Sequence, residues 1–270
     1  MKIARLIIPV LLAVLATSVQ AETINCTPIT SLPATIDTQG LYCLTGNLAT
    51  DISSGNAIEI TANNVALDLN GWKVGGQAAG TGTNAYGIYS TAVNVTVKNG
   101  IVRGFNCGIY LTGRGAVVQG ITADQNTTVG IKVSGPGSLI QGNQVVDTGG
   151  STSAAIVSVI GIFASGSGTT VSNNMVSGLT ATGSGTETGI LHSGATVRDN
   201  MVSDTAVRLG GLASYGIQIL GGGSSIAVNN AVANFVYGIA SNSGSIYAHN
   251  TVVNCNTAYS GGTAGAGNSP

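Results

Sequence analysis

The chain has 270 residues, of which 41 are glycine, 43% are hydrophobic and only 7% are charged. This composition excludes an intrinsically disordered chain, which needs low hydrophobicity and high net charge. Nine Lys and Arg residues against ten Asp and Glu residues leave no basic footprint, so we expect no nucleic-acid partner. Glycine without a triplet period and only 5 prolines exclude collagen, which leaves a glycine-rich all-β protein with many turns.

Residues 1–21 are typical of a secretory signal peptide. Lys2 and Arg5 precede an apolar run from Leu6 to Ala16, and small residues follow up to Ala21. The apolar run is too short to cross a bilayer comfortably, and later apolar stretches are interrupted, so we expect no membrane-spanning segment. We therefore predict a secreted or periplasmic protein, which meets oxidising conditions after export.

Residues 22–53 precede the repeats and are expected to form an N-terminal cap. Cys26 and Cys43 lie close together in this segment. In an oxidising compartment we expect them to form a disulfide, which would stabilise the fold by about 3 kcal/mol. Cys107 and Cys255 fall in distant repeats, and we expect both to remain unpaired, buried thiols.

Two markers repeat between residues 54 and 260. Gly-Ile pairs begin at Gly87, Gly108, Gly130, Gly161, Gly189, Gly216 and Gly238. Each is followed by a Val-x-x-Asn/Gly-x-Val marker or a near relative, with a turn residue at Gly100, Gly120, Asn143, Asn174, Asn200, Asn230 or Asn250. The shortest repeats are about 21 residues, too short for a βαβ unit of roughly 30 or more. Period-two patterns around the turns therefore predict coils of short strands joined by corners.

Stacked coils of this kind would place equivalent asparagines above one another. Parallel strands in neighbouring coils lie about 4.8 Å apart, a spacing that lets side-chain amides bond to each other. Such bonds satisfy polar groups that burial would otherwise make costly. We predict an inward amide ladder of Asn143, Asn174, Asn200, Asn230 and Asn250.

These repeats resemble the right-handed parallel β-helix repeat of the pectate-lyase-like superfamily, in a secreted bacterial type of unassigned activity. The opening segments Gly40–Leu48 and Asn56–Gly71 carry the resemblance, which extends over residues 28–260. It implies an all-β, single-stranded, right-handed solenoid of about eight to nine coils over residues 54–260, after the N-terminal cap. The glycine-rich residues 261–270 predict a flexible tail.

The resemblance implies a fold rather than an activity. The superfamily contains lyases, hydrolases, epimerases, phage tailspikes and adhesins, and function depends on the site rather than the fold. The clustered calcium ligands of pectate lyases have no counterpart among the few scattered acidic residues here. The Gly-His-Gly of polygalacturonases and the Asp-Pro-His of alginate epimerases are absent as well.

Unequal repeat lengths predict where a site could lie. Insertions fall at about 75–86, 148–160, 179–188 and 205–215. The coils that open at Gly108 and Gly130 have none. We expect loops 75–86 and 148–160 to wall a groove over these two coils, because loops on a rigid scaffold often carry function.

The residue after each Gly-Ile is expected to point outward. In the groove this row supplies Tyr89, Tyr110, Lys132 and Phe163. These residues are candidates for substrate binding, with sugar faces stacking on the rings and Lys132 meeting a uronate carboxylate. An ordinary cross-strand aromatic ladder packed under the loops is the alternative.

Charged residues of the same coils are candidates for catalysis. Asp124 and Asp147 are expected at equivalent corners, where they could share a cation such as Ca²⁺ or raise one another's pKa. The alternative is that each caps its own turn. Lys132 or Arg103 could remove a proton from a uronate, whereas His192 is expected to point inward as a structural residue.

Three functions are compatible with these sequence features. The first is an exported β-helix that binds a polysaccharide along its flank, without a cofactor. The second is a lyase or epimerase acting on an acidic polymer, and a lyase is the only case in which Ca²⁺ is a possible cofactor. The third is a structural or adhesive surface protein without a small-molecule site. The sequence leaves the oligomeric state open.

Overall fold

A computed structural model describes residues 25–205, 207, 212–221, 225–242 and 244–270. The expected signal peptide at residues 1–21 and part of the 205–215 insertion lie outside the described residues. Within the described ranges the chain forms strands, turns and loops, with a short 3₁₀ turn, η1 (Gln77–Ala79). No helix in these ranges is long and apolar enough to cross a membrane.

The strands follow one another in coils. They are β1 (Thr27–Ile29), then β2 (Ala34–Ile36), β3 (Gly40–Leu44) and β4 (Leu48–Ala49) of coil 1, β5 (Asn56–Ile60), β6 (Val65–Asp68) and β7 (Lys73–Gly75) of coil 2, β8 (Tyr86–Ser90) and β9 (Thr96–Arg103) of coil 3, β10 (Cys107–Leu111) and β11 (Val117–Asp124) of coil 4, and β12 (Val129–Val133), β13 (Leu139–Gln141) and β14 (Gln144–Val146) of coil 5. The remaining strands are β15 (Val159–Ser172) and β16 (Met175–Ser177) of coil 6, β17 (Glu187–Arg198) and β18 (Met201–Ser203) of coil 7, β19 (Ser214–Ile219), β20 (Ile226–Val228) and β21 (Ala231–Ala233) of coil 8, β22 (Tyr237–Ser241), β23 (Ile246–Ala248) and β24 (Thr251–Val253) of coil 9, and β25 (Thr257–Ser260) and β26 (Thr263–Ala264) of coil 10.

Each strand pairs in parallel with the equivalent strand of the next coil, which creates three sheets along the solenoid. Sheet A contains β2, β5, β8, β10, β12, the first halves of β15 and β17, and β19, β22 and β25. Sheet B runs from β1 and β3 to β23 and β26, and sheet C runs from β4 and β7 to β24. The expected parallel β-helix is therefore confirmed.

The core consists of stacked rows of apolar side chains, one residue from each coil. In sheet A the row contains Ile58, Ile88, Ile109, Ile131, Ile162, Ile190, Ile217 and Ile239, all fully buried. Sheet C contributes a facing row of mostly valines, from Val74 to Val252. Each such side chain contributes about 1.5–3 kcal/mol when buried, so the stacking of one coil on the next stabilises the fold.

The glycine of each Gly-Ile pair packs closely against a facing side chain and the carbonyl of the equivalent residue in the next coil. A methyl group on Gly130 would overlap the Cγ1 of Val145 and lie 2.7 Å from the carbonyl oxygen of Gly161. Gly161 has the same relation to Val176 and the next coil. At Gly108 the facing side chain is Asn126 instead of a valine. The glycine therefore repeats because a side chain at this position would overlap the facing side chain and the backbone of the next coil.

The asparagines form a continuous ladder at the corner between sheets B and C. Each side-chain amide donates to the Oδ1 of the next asparagine, at 2.9 Å from Asn143 to Asn174 and at 3.0 Å from Asn174 to Asn200. Asn200, Asn230 and Asn250 continue the series at 3.0 and 2.9 Å. The repeat pattern did not reveal the last member, Asn268, whose Oδ1 lies 3.3 Å from Asn250 Nδ2.

The left-handed residue at this corner is the one before each ladder asparagine. Gly142, Asn173 and Asp199 have φ values of 64°, 55° and 59°. In coil 4 this role belongs to Gly120, with φ of 62°, and the position equivalent to Asn143 is Ile121. The register expected for that coil from its sequence was therefore wrong by one residue.

Both ends of the solenoid extend beyond the predicted boundaries. The Cys26–Cys43 disulfide is confirmed, with 5.8 Å between the two Cα atoms. The segment expected as a cap, residues 22–53, already contains coil 1, so the coils begin before residue 54. In place of the flexible tail expected at 261–270, β26 pairs with β23 and Ser269 donates its N–H to Asn250.

Candidate functional site

A single outward row crosses sheet A in the order that the sequence predicts. Strand register places the following residues side by side: Glu59, Tyr89, Tyr110, Lys132, Phe163, Leu191, Gln218 and Ala240. We call Tyr86, Tyr89, Tyr110, Lys132 and Phe163 the aromatic stripe. Each of its members is partly exposed.

The side chains of the aromatic stripe contact one another. The ring of Tyr89 lies 5.5 Å from that of Tyr110 and 5.9 Å from that of Tyr86. Lys132 Nζ lies 4.3 Å from the ring centre of Tyr110 and 5.5 Å from that of Phe163, within cation–π range. These contacts fix the rings and the cation without removing them from solvent. The aromatic stripe is therefore both a cross-strand ladder of packed side chains and a surface that a ligand can reach.

The sequence pattern did not single out Tyr86, which precedes a Gly-Ile pair. The same position is tyrosine in two later coils, Tyr215 and Tyr237, whose rings stack at 5.1 Å with 13° between their planes. Together with Gln218 they line a depression of about 280 Å³. From coil 3 to coil 9 this face advances by six strand spacings, about 29 Å in all.

Cys107 lies in the strand of Tyr110 and is 3% exposed. Burial raises the pKa of its thiol to about 12, although the charge of Lys132 and a hydrogen bond to the Ile109 carbonyl act in the opposite direction. Because the thiolate is the nucleophilic form, this cysteine is not a catalytic candidate. Cys255, by contrast, is only half-buried rather than buried as expected, and both thiols are free.

The two predicted loop walls meet each other instead of standing apart. Residues 76–85 and 147–158 form an arch over coils 4 and 5. The hydroxyls of Thr81 and Thr152 lie 3.2 Å apart, and the N–H of Thr152 donates to the Thr81 carbonyl at 3.2 Å. The groove expected between open walls is therefore a cleft beneath an arch, at the corner between sheets C and A.

The predicted catalytic carboxylates do not share a position. Asp124 pairs in register with Val146, so the equivalent of Asp147 is Gln125. Asp124 Oδ2 forms an ion pair with Arg103 Nε at 3.0 Å. Arg103 Nη2 also donates to Gln125 Oε1 at 2.6 Å. Asp147 lies at the corner of the next coil, with φ of 51°. The expectation that Asp124 and Asp147 occupy equivalent corners was therefore wrong.

This arrangement does not fit the Ca²⁺ that the lyase alternative allows. Calcium takes 6–8 oxygen ligands, usually with several carboxylates. Asp124 is already paired with a guanidinium, and Asp147 lies at the corner of a different coil. Across the described ranges, no three His, Cys, Asp or Glu residues converge as a metal site. We derive no step through calcium.

The fold has counterparts among solved structures. The Dettilon tailspike protein (gp208) superposes with a TM-score of 0.63 at 18% identity, over 83% of this chain and 46% of the tailspike. The chain thus spans less than half of the tailspike's length. Pectate lyase Pel9A superposes with a TM-score of 0.55 at 11% identity, over 83% of this chain and 69% of the lyase. The fold is the pectate-lyase-like parallel β-helix.

Sequence comparison adds no closer relationship. No protein-family model matches the chain, and no curated protein matches it. At 18% and 11% identity, the two similar structures establish the fold of this β-helix and leave its activity open.

Proposed function

We propose that the protein is an exported β-helix that binds a polysaccharide along the outward face of sheet A. The observation that carries this proposal is the aromatic stripe. Its rings and Lys132 are fixed by mutual contacts at 4.3 to 5.9 Å and are still partly exposed. A preordered surface loses little conformational entropy when a sugar stacks on it.

The length and direction of this face support a polymer rather than a single sugar. The aromatic stripe occupies coils 3 to 6, and the stacked Tyr215 and Tyr237 continue the same sheet in coils 8 and 9. One structure of this fold is a pectate lyase, so the scaffold can serve a sugar polymer. Lys132 provides the charge that would attract an acidic polymer.

Export is part of the proposal. The amino-terminal residues have the composition of a signal peptide, and the Cys26–Cys43 disulfide is of the kind that persists in oxidising compartments. We expect a periplasmic or extracellular protein.

The test is a binding measurement on the exported chain with pectate, alginate and neutral glucans. Tyr110→Ala is expected to weaken binding about tenfold, because a stacked aromatic ring contributes up to about 1.5 kcal/mol. Lys132→Ala is expected to weaken binding to the acidic polymers alone. Trp72→Ala is the matched control, because Trp72 is 38% exposed and lies before β7, away from sheet A.

Several outcomes would overturn the proposal. Unchanged affinity in Tyr110→Ala, or an equal loss in Trp72→Ala, removes the aromatic stripe as the binding site. If no polymer binds, a structural or adhesive role replaces polysaccharide binding. Absorbance from an unsaturated uronate that disappears in Lys132→Ala would replace simple binding by the lyase alternative.

A further inference from the structure

The cleft beneath the arch is a second concave site, separate from the aromatic stripe. It has a volume of about 270 Å³. Its lining consists of Gln77, Gly80, Thr81, Gly104, Gln125, Thr127, Asp147 and Gly149. No member of the aromatic stripe is among them, because the lining residues follow sheet C strands and lie at the corner between sheets C and A.

The amides in the cleft are held in a fixed orientation. Gln125 Oε1 accepts two hydrogen bonds, from Arg103 Nη2 at 2.6 Å and from Gln77 Nε2 at 2.7 Å. Its acceptor end is therefore occupied, and among the described residues the Nε2 group of Gln125 is left to donate. Gln77 donates through Nε2, so its Oε1 is the acceptor without a partner in the described part of the chain.

Thr127 provides an independent indication of a ligand. It is only 3% exposed, it lines the cleft, and its hydroxyl has no hydrogen-bond partner within the described residues. A buried hydroxyl without a partner costs free energy comparable to a lost hydrogen bond. Because the hydroxyl oxygen has almost no exposed surface, a ligand hydroxyl in the cleft would satisfy it once the Thr127 side chain rotates to turn the oxygen toward the cleft.

The charge of the cleft selects among ligands. The positive charge of Arg103 is offset by its ion pair with Asp124. The carboxylate of Asp147 has no such counterion in the described ranges, so the described side chains around the cleft carry a net negative charge. An anionic sugar is disfavoured there, whereas the vicinal hydroxyls of a neutral sugar suit a carboxylate acceptor beside an amide donor.

We propose that this cleft binds a neutral, hydroxyl-rich sugar residue, the end unit of an oligosaccharide. Asp147 and Gln77 accept hydrogen bonds from its hydroxyls, and Gln125 donates to them. The hydroxyl of Thr127 forms a hydrogen bond with one of them. An open groove of about 400 Å³ continues from the cleft, shares Gln125, Asp147 and Gly149 with it, and extends to Thr205. This groove gives the rest of the oligosaccharide a path out of the cleft.

The test uses saturation-transfer NMR and titration calorimetry on the full exported chain. The probes are glucose, galactose, mannose, rhamnose, N-acetylglucosamine and their short oligomers, with glucuronate as the anionic comparison. Asp147→Asn keeps a residue that tolerates the left-handed backbone, and Thr127→Val keeps the side-chain shape. Each is expected to weaken binding of the neutral probe about tenfold.

Thr148→Val is the matched control. Thr148 is fully buried, its hydroxyl is also without a partner among the described residues, and it does not line the cleft. Both threonine substitutions remove an unsatisfied hydroxyl, so neither should destabilise the fold, but only Thr127→Val should lower affinity. Equal affinity in both variants, preference for glucuronate, or no binding of any probe overturns the proposal.

Tyr110→Ala distinguishes the two sites. If it leaves binding of the neutral probe unchanged, the cleft and the aromatic stripe are independent, as proposed. If instead it abolishes that binding while Asp147→Asn does not, the sugar occupies the aromatic stripe and the cleft proposal fails.

Discussion

Replacing Asn174 with alanine is expected to lower the free energy of unfolding by about 4 kcal/mol, because several buried polar groups lose their partners together. Asn174 accepts from the backbone N–H and the side-chain amide of Asn143, both at 2.9 Å. It donates to the Ile140 carbonyl and to Asn200 Oδ1, both at 3.0 Å. Because its side chain is 2% exposed, water cannot replace these bonds.

The neighbouring residue supplies a matched control. Asn173 is exposed, has φ of 55°, and its side chain makes no bond among the described residues. Asn173→Gly keeps a residue that adopts this backbone freely and should cost less than about 1 kcal/mol, through unfolded-state entropy alone. Denaturant unfolding curves of the two variants provide the measurement. Equal losses would show that the corner, and not the ladder, determines the stability.

The second large effect concerns His192 and acid. Its side chain is fully buried, and both ring nitrogens lack hydrogen-bond partners within the described part of the chain. Burial lowers its pKa from 6.5 to about 4. The unfolded chain therefore binds a proton more readily than the folded one. This histidine therefore does not reduce the free energy of unfolding above about pH 6.5. As the pH falls from there to about 4, protonation favours the unfolded chain and the free energy of unfolding decreases.

The size of this loss follows from the pKa difference, and amounts to about 3 kcal/mol at pH 4. His192→Leu should remove this dependence, because leucine suits a position that pairs with Ala164 and Ile219. It should also raise stability at pH 7, because two buried nitrogens without partners disappear. Unfolding midpoints from pH 4 to 7 test both statements.

The other histidine is the control for this experiment. His249 is exposed and has φ of 53°, so His249→Asn retains a residue suited to that backbone. This variant should lose stability with acid as the wild type does. A shallow pH dependence in the wild type, or the same dependence in His192→Leu, would contradict the assignment.

Local repetition determined what the sequence could predict. The Gly-Ile pairs fix one strand in each of coils 3 to 9, and the period of two then determines which side chains point outward. For this reason the outward row of Tyr89, Tyr110, Lys132 and Phe163 could be predicted from the sequence. The inward asparagines were equally predictable. Burying an asparagine in every coil costs little free energy only if the stacked side-chain amides form hydrogen bonds with one another.

Corners and long loops escaped prediction for physical reasons. Gly120 and Asn143 both occupy the turn marker, yet glycine here takes the left-handed position and asparagine the ladder position. That one-residue difference separates Asp124 from Asp147 and determines which of them meets Arg103. The contact between Thr81 and Thr152 joins residues 71 apart, and no local pattern encodes it.

The arch also changes the order in which the coils should unfold. In a solenoid each repeat contacts only its neighbours, so unfolding can proceed stepwise inward from either end. The Thr81–Thr152 contact ties coil 3 to coil 6 and bypasses the two coils between them. Coils 3 to 6 should consequently open as one cooperative block, with backbone amides that exchange with solvent more slowly than those of coils 1 and 9.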